Sequence, residues 1–71
     1  MSHQPPPDAS PVEAIQWALQ HEIDAEGSYT MLAQRMTNPA TRKMFLELAA
    51  EETKHKLILQ AELDRYLFQE N

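Results

Sequence analysis

Glu22, Glu52 and His55 are the residues of this chain best suited to chemistry. Two carboxylates and an imidazole, with no thiolate anywhere in the sequence, form a donor set that suits Fe, Mn or Zn. Glu52 and His55 belong to "EETKH" and are three residues apart, so a helix puts them on one face. Their surroundings are apolar at helical spacing. Positions 12, 15, 19, 22, 26, 29, 33 and 36 read Val, Ile, Leu, Glu, Glu, Tyr, Ala, Met, an alternating three-four seam with two glutamates in its middle. Positions 41, 45, 48, 52, 55, 59, 62 and 66 read Thr, Phe, Leu, Glu, His, Leu, Glu, Tyr, and are likewise interrupted at mid-length. Glu47, Lys54 and Lys56 fall off this stripe, where solvent is expected.

The elements that must position these groups follow from local signals. "SPVE" offers Ser10 as a cap, Pro11 at the first helical position and Glu13 to complete a capping box. Asn38 and Pro39 repeat the cap-then-proline signal, so a second helix starts there and runs to about Gln69. The spacing predicts two arms of about 27 and 31 residues, roughly 40 and 46 Å at 1.5 Å per residue. The short link at Asn38 makes them antiparallel neighbours. Gly27 inside the first arm costs about 1 kcal/mol against alanine. The domain expectation is a disordered, proline-rich tail over residues 1–9, carrying an inert His3, and one helical hairpin over residues 10–71.

Counting from Asn38 fixes the levels. Glu22 lies 16 residues before it, and Glu52 and His55 lie 14 and 17 after it. Equal rise in antiparallel arms brings all three to one height. Converging carboxylates are relieved by protonation or by a cation, and three ligands at one level favour the cation over a metal-free polar network. Glu26 is one turn from Glu22 and is expected to support the ligands or be partly solvated. Glu62 is too far along the arm to join them and is expected at a solvated end or in a salt bridge. Trp17 and Met31 lie opposite the first seam, as exposed residues or a second contact between copies.

Composition narrows the classes. Seventy-one residues make one small domain near the lower limit for an independent core, and the absence of cysteine removes disulfides as staples. Oligomerisation or metal binding then becomes the expected source of stability. A net charge of −5 argues against nucleic acid. No run reaches membrane-spanning length, and the N-terminus lacks the features of a secretory signal, so a cytoplasmic protein is expected. One hairpin cannot bury its own seam, whereas two can. The fold class expected is therefore all-α: a two-helix hairpin that dimerises into a four-helix bundle with four glutamates and two histidines.

At these residues the chain resembles the ferritin-like superfamily. "HEIDAEGSY" is similar to its first-helix pattern, with Glu22 as ligand and Tyr29 seven residues on; "FLELAAEETKH" is similar to the second, with Glu52 and His55. "TNPATRKMF" resembles the turn of rubrerythrins. The single hairpin and the 30-residue separation of Glu22 and Glu52 resemble encapsulated ferritins most, as does the tail "RYLFQEN". The resemblance implies a di-iron site at a dimer interface, held by Glu22, Glu52 and His55, with Mn or Zn as substitutes. It also implies ferroxidase activity, the oxidation of Fe(II) to Fe(III) for storage or detoxification. Tyr29 and Glu26 would support the ligands through hydrogen bonds, and Asp24 with His21 would mark where iron approaches, although His21 stands where an acid is usual.

A bundle without a mineral cavity does not store iron alone. A ring-like homo-oligomer or an encapsulin shell is therefore the implied partner, with an encapsulin nanocompartment as the implied location. The chain carries no C-terminal targeting peptide of the shell-cargo kind, so it is either truncated or not cargo. Two alternatives stay open: a rubrerythrin-like peroxidase with the same metals, and a structural dimerising hairpin without catalysis.

Overall fold

A computed structural model describes residues 4–68. His3, Gln69 as the end of the second arm, and the last residues of "RYLFQEN" lie outside the described residues. Among the described residues, the chain forms two helices, α1 (Pro11–Arg35, 25 residues) and α2 (Pro39–Phe68, 30 residues), and no strand. Residues 4–10 precede α1 without helix and make a turn at Pro7 and Asp8.

Both starts are fixed by side chains. The Glu13 backbone N–H donates to Ser10 Oγ at 3.1 Å, and the Ser10 backbone N–H donates back to Glu13 Oε1 at 2.9 Å. This capping box satisfies two donors that the first turn leaves without partners, and Pro11 has no N–H to satisfy. At α2 the Thr41 N–H donates to Asn38 Oδ1 at 3.0 Å, and the Arg42 N–H donates to the Asn38 carbonyl at 2.9 Å. Helix α1 stops at Met36, whose extended backbone (φ −87°, ψ 130°) turns the chain out of the helix. Its N–H still donates to the carbonyls of Leu32 (3.1 Å) and Ala33 (3.3 Å). Three residues then reverse the direction, and none of the described residues has a positive φ.

The arms pack along their length, but the interior is thin. Among the described residues, Ala33, Ala49 and Leu63 are the buried apolar ones, and no large side chain is fully covered. The accessible surface of 5449 Å² exceeds the about 4,500 Å² expected of a compact protein of this mass. Among the described residues, ten large apolar side chains are exposed, Leu57 and Ile58 at 67% each.

The helix α2 seam differs from the expected stripe. Within the hairpin the covered or half-covered row is Phe45, Ala49, Glu52, Lys56, Leu59 and Leu63, alternating four and three. Leu48, His55 and Tyr66, expected on the stripe, are exposed, and Lys56, expected in solvent, is half-buried. The reason is geometric. A single partner helix covers one row of α2, while the apolar stripe is two rows wide; the second row, Leu48–His55–Glu62, flanks the contact. Gly27 is exposed, and a methyl group built on it meets nothing within 4 Å, so it serves no close approach inside the hairpin.

Candidate metal centre

Glu22 from the middle of α1 and Glu52 and His55 from the middle of α2 meet across the seam. One potential ligand atom from each lies within 4.8 Å of the others. His55 Nδ1 lies 3.1 Å from Glu52 Oε1 and 3.6 Å from Glu22 Oε1. The levels counted from Asn38 thus bring these three residues together. The two carboxylates are mostly covered, with side chains 22% and 18% exposed, while the imidazole is 50% exposed.

The electrostatics are those of a crowded acid pair. Glu22 is pushed above the ordinary carboxylate range, first by its hydrogen bond with Glu52, then by burial and by the negative charge of Glu52. Glu52 is correspondingly held down, because it accepts from Glu22 and then from His55, with the positive charges of His55 and His21 assisting. His55 is raised, chiefly by its hydrogen bond to Glu52 and by the charge of Glu22. Converging negative charge thus raises both Glu22 and His55, and a bound cation would offset it. This set fits a divalent cation on two counts: oxygen and nitrogen donors without sulfur, and mutual proximity.

The neighbouring residues divide. Glu26, one turn on from Glu22, turns to the opposite flank from His55: its Oε1 accepts from Lys56 Nζ at 2.7 Å and its Oε2 accepts from the Thr53 hydroxyl. These two donors hold Glu26 below the ordinary carboxylate range, Lys56 first. Tyr29 stacks with Phe45, ring centroids 6.2 Å apart; among the described hydrogen bonds none comes from its hydroxyl. Asp24 is exposed and accepts from Gln20 Nε2 at 2.9 Å. His21 is exposed and stacks on Trp17 at 5.1 Å. Glu62 is drawn into an in-helix pair with Arg65, and Met31 is 49% exposed.

Lys56 and Thr53 are partners of Glu26 that the stripe reading passed over. Their signal was present, since Ala49, Lys56 and Leu63 form their own seven-residue row. Lys56 also lines a shallow groove with Leu19, Ile23, Leu57 and Gln60. About 100° of turn per residue puts Ile23 and Lys56 round the helix from Glu22 and His55. Groove and imidazole therefore occupy opposite flanks of the seam.

None of the described helices is long and apolar enough to cross a membrane. Comparison with curated proteins finds no match, and comparison with solved structures finds none either. The family model described as Rubrerythrin matches residues 13–71, which takes in both helices and all three clustered residues. With that span covering most of the sequence, the chain belongs to the rubrerythrin family, part of the ferritin-like superfamily.

Proposed function

We propose that two copies of this hairpin pair through the His55 flank and hold two iron ions between them, where Fe(II) is oxidised to Fe(III). The observation that carries this reading is the cluster of Glu22, Glu52 and His55, with ligand atoms within 4.8 Å of one another. One hairpin supplies three ligands and leaves the imidazole half exposed. Two supply four carboxylates and two imidazoles, and the −4 of the carboxylates matches two divalent cations. The thin interior and the exposed Leu48, two turns before His55 on the same face of α2, support pairing on this flank.

In this arrangement Glu22 and Glu52 would hold iron through carboxylate oxygens and His55 through its neutral ring. Iron is the substrate: two Fe(II) each lose one electron to O₂, which takes up two protons and leaves as hydrogen peroxide. The carboxylates favour the product, because the more highly charged Fe(III) gains more from oxygen anions than Fe(II) does. Asp24 and His21, on the outer face of α1, receive incoming iron. A ring of paired hairpins, or a surrounding shell, keeps the ferric product from precipitating at large.

Replacing Glu52 and His55 together with alanine is expected to abolish O₂-dependent Fe(II) oxidation, followed by ferric absorbance at neutral pH; an unchanged rate rejects the proposal. The family match favours a second reading with the same ligands, a peroxidase in which hydrogen peroxide accepts the two electrons and two protons to give water. Parallel assays with O₂ and peroxide separate the two, since a strong preference for peroxide selects the second. A structural hairpin without metal predicts no melting shift with Fe(II) or Zn(II).

A further inference from the structure

We infer that Lys56 sets how many cations the paired centre accepts, by holding Glu26 out of the ligand set. The inference rests on the metal-binding reading above and concerns residues outside its ligand set. Glu26 is the second carboxylate of the α1 seam, one turn from Glu22, and its side chain is only 26% exposed. Unopposed, it would be a ready additional ligand for a cation held at Glu22. Instead both its oxygens are occupied: Oε1 by Lys56 Nζ at 2.7 Å, Oε2 by the Thr53 hydroxyl. A charge-assisted bond at that distance from a half-buried ammonium is one of the stronger polar contacts of the hairpin. Lys56 reaches Glu26 from the flank opposite His55, so it engages the acid without covering the imidazole.

Charge balance shows the consequence. The inward carboxylates Glu22, Glu26 and Glu52 carry −3 per hairpin, and Lys56 returns it to −2. Two hairpins then present −4, which two divalent cations neutralise. Without Lys56 the pair would present −6 and have room, in charge and in ligands, for a third. Without Glu26, an unpaired ammonium would sit beside the centre and repel its cations. Lys56 and Glu26 are thus positioning residues whose effects have opposite signs and cancel when both are removed.

The full-length chain is titrated with Zn(II) alone by calorimetry, with bound metal counted after dialysis and helicity checked by circular dichroism. The expected result is two Zn(II) per pair for the unmodified protein and three for Lys56→Met, which keeps the apolar stem. Glu26→Gln should bind two Zn(II) roughly ten- to a hundredfold more weakly. The double variant Glu26→Gln/Lys56→Met should return to two with near-original affinity. Lys56→Gln replaces Lys56→Met if the latter is not helical, and Glu26→Gln tests the inference independently of both. Two Zn(II) at unchanged affinity in both single variants overturns the inference and leaves the metal reading standing. No Zn(II) bound by the unmodified protein overturns the metal reading and the inference together.

Discussion

Pairing on the His55 flank has a consequence for Leu48, which lies seven residues before His55 on the same face of α2 and is 36% exposed in the single hairpin. A copy that completes the ligand set at His55 along this row of α2 is expected to cover Leu48 as well. Covering that remaining apolar surface contributes about 1–1.5 kcal/mol per chain at ~25 cal/mol per Å². A two-fold interface counts it twice, so Leu48→Ala should lose about 2–3 kcal/mol of pairing free energy. That corresponds to a dimer constant weakened roughly 30- to 150-fold. A dilution series by analytical ultracentrifugation, with and without Zn(II), reads the change, and bound Zn(II) measured on the same samples should fall with the dimer. Leu57→Ala provides the contrast. Leu57 is more exposed, at 67%, but lines the groove on the opposite flank, so pairing and metal uptake should survive its loss. The reasoning is refuted if Leu48→Ala dimerises as before while Leu57→Ala dissociates, because the shared centre would then not lie at the interface.

The remaining predictions concern protons, the helix itself and the two centres already described. His55 is raised above its usual value, chiefly by its hydrogen bond to Glu52, so a cation that binds its ring competes with a proton. The stability that His55 gains from its carboxylate partners is full below its usual value of 6.5 and is lost as pH rises through its raised value. Zn(II) affinity should therefore rise, and proton release fall, between about pH 6 and pH 8; calorimetry in buffers of different ionisation enthalpy measures both, and pH-independent binding would contradict the assignment. Gly27→Ala should stabilise the protein by about 0.5–1 kcal/mol, because Gly27 is helical and its added methyl meets nothing. The melting temperature should then rise by several degrees, about 4–8 °C per kcal/mol for a chain of this size; a fall would mean that another copy packs against this face. Loss of Fe(II) oxidation in the Glu52/His55 double alanine variant, and the extra Zn(II) in Lys56→Met, complete the set.

The sequence by itself determined the elements and the level of the site. Ser10, Pro11 and Glu13, then Asn38 and Pro39, are local signals that act through backbone donors a few residues away, so α1 and α2 begin where these residues stand. Once the link is short, counting residues from Asn38 fixes which side chains share a height, because the rise of a helix is constant. That is why Glu22, Glu52 and His55 could be brought together from spacing alone. Rotation about the helix axis was different. A stripe two rows wide is compatible with either row facing the partner arm, and sequence periodicity does not choose between them. Packing chose the row through Ala49 and Leu63, which turned Lys56 inward onto Glu26 and left Leu48 and His55 at the edge. The pairing of Lys56 with Glu26 could emerge only there, since it depends on two long side chains crossing the seam from positions 30 residues apart.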